Sequence, residues 1–427
     1  MPPDALAAGI DLGSSGLRLA LIDAGGALLL EESSTYPLPF DHPEGWRLGI
    51  TALLQRLPAD LRQRIGALAV DGTSGTLLLC QPDGRLAPAE LAGGALSRAL
   101  PYHQACPEQE EQARQLAGGG PAASASGSLA RALRLLALAG CGAADGPWWL
   151  RHQADWITGW LLQDWRWGEE GNNLRLGWNL QQQRWSGRIA QQPWSAGLPA
   201  IATSGSSLGT VAGHVAEALD LPAHCQVVAG STDANAAVLA AEPAEGDGVT
   251  VLGTTLVLKQ WSPRPIEGPG VSCHRVGGRW LVGGASNAGG GVLRQFFDDG
   301  QIAELSRQID PSRSSGLELR PLPGCGERFP VDDPLLEPAL SPRPVSDSRY
   351  LQGLLEGLAR VEQQGWQRLE ELGAPPVQRV ITLGGGARNP QWRAIRQRLL
   401  QRPVLNRPGR SAAQGMARLP ASALPAR

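Results

Sequence analysis

Two segments of the chain share one pattern, in which a short turn of glycine and hydroxyl residues joins two apolar runs. The first copy spans Gly9 to Ala20, and the second spans Val249 to Leu258. The pattern is typical of a β-hairpin whose tight turn can hold phosphate oxygens with backbone N–H groups and hydroxyls. The turn residues concerned are Ser14, Ser15 and Gly16 in the first copy, and Gly253, Thr254 and Thr255 in the second. Two such turns predict two phosphate-binding lobes that face one another across a cleft.

Two aspartates stand where phosphoryl transfer would use a carboxylate. Asp11 comes just before the first turn, where it either contributes to a Mg²⁺ site, usually through water, or caps its own turn. Asp233 follows the apolar strand Cys225 to Ala229 and precedes a run of small helix formers. It can therefore act as a general base toward a substrate hydroxyl, or it can cap the helix that follows. Neither turn is a Walker A loop, because no Gly-Lys-Ser/Thr sequence follows.

A third glycine-rich segment, Gly384 to Asn389, follows a strand predicted over Val377 to Leu383. Its glycines allow the backbone to approach a ligand closely, and Asn389 begins the next helix. A long helix is predicted before this strand, from about Ser348 to Leu372.

The bulk properties favour a small-molecule partner. The 427 residues include 38 basic and 40 acidic ones, so no overall charge recruits nucleic acid or an anionic membrane. No apolar run reaches the length of a membrane span. The six cysteines are scattered without a CxxC pair, which argues against a zinc or redox motif and predicts a reduced, cytoplasmic protein. They are Cys80, Cys106, Cys141, Cys225, Cys273 and Cys325.

Taken together, these motifs resemble those of the FGGY family of carbohydrate kinases, which belong to the actin-like ATPase superfamily. The resemblance spans nearly the whole chain and implies an α/β fold of two ribonuclease-H-like domains with a cleft between them. It implies ATP and Mg²⁺ as cofactors, with Asp233 deprotonating the sugar hydroxyl and Asp11 contacting the sugar and placing the metal. The residues implied to bind the nucleotide are Ser14, Ser15, Gly16, Gly253, Thr254, Thr255, Gly385, Gly386 and Asn389.

Within the family, Asp71 to Thr76 and His152 to Trp156 most resemble the cyanobacterial and plant-plastid xylulokinase-like enzymes. This likeness implies D-ribulose as the acceptor and a contact between Ser74 and the sugar. The second segment also fits a structural network at a helix start. Many family members hold the sugar with a Tyr-Asn-Asp segment where this chain has Tyr102-His103-Gln104, so D-xylulose or a polyol is an alternative acceptor. The alternative from another class is an actin-like ATPase or a sugar sensor without kinase activity.

A break in the helical pattern, from Pro243 to Gly248, predicts the domain boundary. Residues 1–242 would form the N-terminal domain, with the sugar site and the catalytic aspartate, and residues 243–427 the C-terminal, nucleotide-binding domain. A last helix begins at Ser411, but its pattern dissolves between Arg418 and Pro425 because closely spaced prolines cannot share one ordinary helix. The resemblance implies that this end returns to the first domain. A homodimer is left open.

Overall fold

The computed structural model describes residues 4–88, 91–140 and 148–422. Cys141 and Pro425, named above, lie outside these residues. The cysteines within them are all free thiols. None of the helices in these three ranges is both long enough and apolar enough to cross a membrane.

The chain divides into two compact units. The first contains Met1–Ala240 together with Arg275–Gly278 and Ser411–Arg427. The second contains Ala241–His274 and Arg279–Arg410. Each unit is built on its own six-stranded sheet.

In the first unit the hairpin predicted near the start of the chain is confirmed. Leu6–Leu12 and Leu17–Ile22 pair as antiparallel strands, and Ile65–Gly72 lies parallel to Leu6–Leu12 on its other side. All residues of Leu6–Leu12 are buried, as expected for a central strand covered on both faces. The strands of this sheet, in spatial order, are Ser207–Thr210, Gln226–Val228, Ile65–Gly72, Leu6–Leu12, Leu17–Ile22 and Leu28–Ser34.

The sheet of the second unit repeats this arrangement. Asp247–Leu252 and Leu256–Ser262 form the second predicted hairpin, and Arg379–Leu383 lies parallel to Asp247–Leu252. The strands of this sheet, in spatial order, are Val271–Val276, Arg279–Ser286, Leu256–Ser262, Asp247–Leu252, Arg379–Leu383 and Val404–Asn406. In both units a hairpin is thus extended by a parallel strand, and the chain has the predicted α/β fold of two related domains.

Helices cover the sheets in both units. The predicted long helix is confirmed and spans Asp347–Glu371. The helices of the first unit are Pro43–Arg56, Ala59–Arg62, Glu110–Ala117, Ser128–Leu138, Gln153–Leu162, Glu170–Asn173, Gly187–Ala190, Gly213–Leu219, Asp233–Ala240 and Ala412–Ala421. Those of the second unit are Gly290–Leu293, Asp299–Arg307, Asp347–Glu371 and Pro390–Leu400.

The last helix is better formed than the sequence predicted. It runs over Ala412–Ala421 and holds Pro420 in its final turn. It packs very closely, because a Cβ on Gly9 would lie 2.1 Å from the Ala413 carbonyl oxygen. A Cβ on Gly415 would lie 1.8 Å from the carbonyl oxygen of Ala236. The expectation that the helix dissolves from Arg418 was therefore wrong.

Candidate active site

The strand ends of the first unit bring three aspartates to one place. Asp11 and Asp71 are partners in the parallel register of their two strands, so their backbones lie side by side. Asp233 joins them because the segment before it runs very close to the strand Ile65–Gly72. A Cβ on Gly230 would lie only 1.8 Å from the Val70 carbonyl oxygen, so this position requires a glycine.

Asp233 occupies the first position of the helix Asp233–Ala240, but it is not the residue that caps this helix. The hydroxyl of Thr232 accepts the Asn235 backbone N–H at 3.3 Å, which is the usual capping bond. The Asp233 carboxylate accepts the backbone N–H of Ala234 at 2.8 Å and remains partly exposed. Burial raises the pKa of Asp233 to about 6, although the N–H groups of Ala234 and Ser74 act in the opposite direction. A partly exposed carboxylate with this pKa is suited to accept a proton near neutral pH.

Ser74 lies in the turn that follows the strand Ile65–Gly72. Its backbone N–H faces the Asp233 carboxylate and stabilises the charged form. The structure therefore gathers Asp11, Ser74 and Asp233, the three residues predicted to bind the sugar, in the first unit.

Asp11 is almost fully buried, with 3% of its surface exposed. The guanidinium of Arg18 donates to one of its carboxylate oxygens at 3.0 Å. Its carboxylate chemistry fits a Mg²⁺ ion, which proteins usually hold through one or two carboxylates together with phosphates and waters. Within the described residues, no group of three or more His, Cys, Asp or Glu side chains is arranged to hold a metal ion on its own. A metal here would thus depend on ligands supplied by a bound nucleotide.

Asp71 is the member of this cluster that sequence reasoning missed. It has no exposed surface, and neither of its carboxylate oxygens accepts a hydrogen bond from any residue in the described part of the chain. Burial, followed by the charges of Asp11 and Asp233, raises the pKa of Asp71 well above its usual range. The raised pKa favours the protonated form of Asp71, which can donate a hydrogen bond to Asp11. Its position at a strand end, after the apolar run Ala67 to Val70, was the available signal.

The predicted phosphate turn of the first unit is exposed at Ser14 and Ser15. Gly16 at its end must stay small, because a Cβ there would lie 2.5 Å from the Ser34 carbonyl oxygen. The carbonyl of Gly13 accepts the Tyr36 hydroxyl at 2.8 Å. Tyr36 thus supports this turn from a position that local sequence patterns did not indicate.

The second unit contains a cavity of about 750 Å³, within the usual size range of small-molecule sites. Its lining includes five of the residues predicted to bind the nucleotide: Gly253, Thr254, Gly385, Gly386 and Asn389. Thr255 belongs to the same turn but does not line the cavity. The second hairpin turn and the third glycine-rich segment therefore meet at one site.

The turn at Gly253 is held by another glycine-rich segment, Gly289 to Gly291. The backbone N–H of Gly290 donates to the Gly253 carbonyl at 2.9 Å, and that of Gly291 donates to the Thr254 carbonyl at 3.0 Å. A Cβ on Gly289 would lie 2.4 Å from the Thr254 carbonyl oxygen. Glycine is required here because two backbone segments touch directly.

Basic side chains outnumber acidic ones in the lining of the cavity. Arg294, Arg307 and Arg388 contribute to its lining, which includes one acidic residue, Asp299, bound to Arg294 at 3.0 Å. Arg307 is also paired with a carboxylate, that of Glu304. Guanidinium groups are suited to bind phosphate. The sequence signal for one of them was direct, since Arg388 lies inside the third glycine-rich segment.

Asn389 has a structural task in addition to its place on the cavity wall. Its side-chain oxygen accepts the Trp392 backbone N–H at 2.9 Å and caps the helix Pro390–Leu400. Its side-chain nitrogen donates to the Ser306 hydroxyl at 2.8 Å. Both polar atoms therefore have protein partners, and a contact between Asn389 and adenosine stays a prediction.

The chain resembles known kinases in sequence and in fold. Residues 248–424 match the model of the C-terminal domain of the FGGY family of carbohydrate kinases. A xyloylose kinase from Brucella ovis is 18% identical, with a TM-score of 0.80 over 99% of this chain and 91% of that one. A xylulose kinase from Rhodospirillum rubrum is 21% identical, with a TM-score of 0.78 over 98% and 90%.

A glycerol kinase from Plasmodium falciparum, solved with ADP, is 13% identical and has a TM-score of 0.77 over 97% of this chain and 89% of that chain. At these identities the solved structures establish the fold, while the match of residues 248–424 provides the link to the family. Both agree with the duplicated sheets and with the glycine-rich cavity of the second unit. The chain accordingly has the fold of these kinases, and its residues 248–424 match the C-terminal domain of the FGGY family of carbohydrate kinases.

Proposed function

We propose that this kinase transfers the γ-phosphoryl group of ATP to the terminal hydroxyl of D-ribulose, giving D-ribulose 5-phosphate and ADP. The observation that carries the proposal is the convergence of Asp11, Ser74 and Asp233 in the first unit. These side chains offer two carboxylates and a hydroxyl, which suit the hydroxyl groups of a small ketopentose.

Asp233 is the proposed general base. Its carboxylate takes the proton of the acceptor hydroxyl as the hydroxyl oxygen forms a bond to the γ-phosphorus and the bond from phosphorus to ADP breaks. The N–H groups of Ala234 and Ser74 keep a substantial fraction of this carboxylate ionised near neutral pH. Thr232 leaves Asp233 available for this task because it takes over the capping of the helix.

ATP is the proposed donor, and the cavity of the second unit is its proposed binding site. Gly253 and Thr254 would contact its phosphates, while Gly385 and Gly386 would lie against the adenosine. The turn Ser14 to Gly16 in the first unit would also contact phosphate. Asp11 would hold Mg²⁺, and the ion, when bound, neutralises charge on the transferring phosphoryl group.

D-xylulose is the second candidate acceptor. It is favoured by the solved structures of similar fold, since several of them are xylulose kinases by name. D-ribulose is favoured by the turn Asp71 to Thr76, which resembles that of the cyanobacterial and plant-plastid enzymes. The free cysteines of the described residues support a cytoplasmic location for either reaction.

The test is the release of ADP by purified protein with Mg·ATP, measured alone and with each of D-ribulose, D-xylulose, L-ribulose, ribitol, xylitol and glycerol. We expect D-ribulose to give the highest kcat/KM. A higher value for D-xylulose would replace the acceptor and keep the kinase. ADP release that no sugar accelerates would contradict the proposal, and Asp233→Asn serves as the control for contaminating kinases.

A further inference from the structure

One buried arginine, Arg131, holds the loop of residues 101–104. Arg131 lies in the helix Ser128–Leu138 and has no exposed surface. In the described part of the chain, every hydrogen bond of its guanidinium goes to a backbone carbonyl oxygen. Three of these carbonyls belong to the 101–104 loop: those of Pro101 and Gln104, each 3.0 Å from Nε, and that of Tyr102.

The same guanidinium also binds the turn of residues 73–76, which carries Ser74. One Nη of Arg131 donates to the Gly75 carbonyl at 3.2 Å and to the Ser126 carbonyl at 3.0 Å. Gly75 follows Ser74 directly and has a φ of 101°, a conformation that favours glycine. A planar guanidinium carries five N–H groups in a fixed fork, so it can donate to two segments at once. Arg131 therefore bridges the 101–104 loop and the Ser74 turn.

A second contact joins the loop to the turn. The backbone N–H of Tyr102 donates to the Thr76 hydroxyl at 3.1 Å. The side-chain oxygen of Gln153 accepts the Thr73 backbone N–H at 3.1 Å and the Thr73 hydroxyl at 2.9 Å. The Thr73 hydroxyl proton is thus in use, so in the 2.6 Å contact between the two threonine hydroxyls Thr76 is the donor. The hydrogen bonds run in one direction, from the loop through Thr76 and Thr73 to Gln153.

The far end of this chain of hydrogen bonds is sealed from the proposed sugar site. Gln153 has no exposed surface, so its side chain does not touch the sugar directly. His152 is also buried, and one of its ring nitrogens lies 2.9 Å from the Ser128 hydroxyl. Of the two interpretations of the segment His152 to Trp156, a structural network at a helix start fits these contacts better than a sugar contact.

The charge of Arg131 indicates that its carbonyl contacts are its purpose. Burial lowers the pKa of Arg131 to about 10, so the guanidinium is still charged at neutral pH. A buried charge is costly unless hydrogen bonds compensate it, whereas an apolar side chain would fill the same space without that cost. What the guanidinium adds is therefore the set of carbonyls that it gathers.

We propose that Arg131 is a positioning residue that fixes the 101–104 loop against the Ser74 turn and thereby shapes the proposed sugar site. The loop then presents the exposed side chains of Tyr102, His103 and Gln104 next to the turn. This inference rests on the proposed function, because that function assigns Ser74 to the acceptor. Its consequence is that a change at Arg131, which is buried out of reach of the sugar, alters the binding of the sugar.

The proposal is tested with Arg131→Lys, which keeps the charge but replaces the five-donor fork with a single ammonium group. Arg151→Lys is the matched control. Arg151 is a second buried arginine of the first unit, with 1% of its surface exposed, and burial lowers its pKa to about 10 as well. Its guanidinium also binds backbone carbonyls, but these belong to neither the loop nor the turn: Trp165, Leu150 at 2.7 Å and Gly197 at 3.0 Å.

The first readout is hydrogen exchange in a peptide that covers residues 99–106, which requires no activity. We expect faster exchange in Arg131→Lys, because the loop loses its anchor, and wild-type exchange in Arg151→Lys. Unchanged exchange in Arg131→Lys, or equal acceleration in both variants, would overturn the inference whatever the enzyme does with sugars. Wild-type protein without sugar-dependent ADP release would instead overturn the proposed function, and the exchange result would still decide whether Arg131 holds the loop.

The second readout compares the KM of the sugar with the KM of ATP. We expect the sugar KM to rise about tenfold in Arg131→Lys, the range that follows from losing hydrogen bonds to a charged group. The KM of ATP should stay at the wild-type value, because the proposed ATP cavity lies in the second unit. Partial unfolding would instead lower kcat and leave both KM values unchanged. A wild-type sugar KM in Arg131→Lys, or an equal rise in Arg151→Lys, would overturn the positioning role.

A second pair of variants keeps the inference testable if Arg131→Lys does not fold. Thr76→Val removes the hydroxyl that accepts the Tyr102 N–H, whereas Thr76→Ser retains it. We expect the sugar KM to be several-fold higher in Thr76→Val than in Thr76→Ser. Equal KM values in the two variants would contradict the dependence of sugar binding on the placement of the loop, and with it the role of Arg131.

Discussion

The pKa of Asp233 sets the acid limb of the activity, because a general base must be ionised to accept a proton. With a pKa of about 6, roughly nine-tenths of the Asp233 side chains are ionised at pH 7 and roughly one-tenth at pH 5. We therefore expect kcat/KM for the sugar to fall about tenfold between pH 7 and pH 5. An Asp with the ordinary pKa of 3.8 would lose almost nothing over this interval.

The limb should also respond to nearby charge. The Arg175 guanidinium lowers the pKa of Asp233, so Arg175→Met should move the midpoint to higher pH. Asp233→Asn should remove the limb together with about 10²- to 10⁴-fold of the rate.

The assay is the initial rate of ADP release at saturating ATP, from about pH 4.5 to pH 8, at constant ionic strength. A wild-type profile that stays flat down to about pH 4.5 would refute the assignment of Asp233. An unmoved midpoint in Arg175→Met would refute the electrostatic part of the reasoning.

Three further predictions concern stability and the cavity. Burial lowers the pKa of Lys259 to about 8, so the unfolded chain binds more protons than the folded one between about pH 8 and pH 10.5 and stability rises with pH across this window. Between roughly pH 7.5 and pH 9.5, Lys259→Met should remove about 2 kcal/mol of this rise in the free energy of unfolding. Urea unfolding of both proteins at the two pH values measures the difference, and an equal rise in wild type and variant would contradict the prediction. Gly415→Val should destabilise the protein by about 3 kcal/mol or more, because the close contact of the last helix cannot hold a side chain; an unchanged Tm would contradict this packing. Gly386→Ala should lower the Tm, because its Cβ would lie 2.6 Å from the Trp392 ring. Gly385→Ala meets no atom within 4 Å, so it should keep the Tm and raise the KM for ATP. A wild-type KM for ATP in Gly385→Ala would contradict the assignment of the cavity to ATP.

The features found from the sequence are those encoded by neighbouring residues. Both hairpins were predicted because each is complete within a short stretch, with its apolar runs and its turn side by side. Asp71 was missed because its partner Asp11 is set by the register of two strands that are far apart in the chain. Tyr36 was missed for the same reason, since its contact with Gly13 forms only when the sheet has folded.

Local rules also misjudged one position. Pro420 predicted an early end to the last helix, yet close packing through Gly9 and Gly415 holds the helix together to its final turn. At Asn389 the local prediction was right, because its side chain caps the helix that follows, while its contact with adenosine stays a prediction.

The last helix also has a consequence for the order in which the protein is made. It covers the strand Leu6–Leu12, so the ribosome supplies the first unit's sheet well before the helix that covers it. The roughly 170 residues between Ala240 and Ser411 take about 10–30 s to synthesise at ordinary rates. Throughout that interval the surface at Gly9 lacks the helix that covers it, so we expect the nascent first unit to expose apolar groups there. We expect a chain that stops before Ala412–Ala421 to keep that surface uncovered and to be less stable than the full chain.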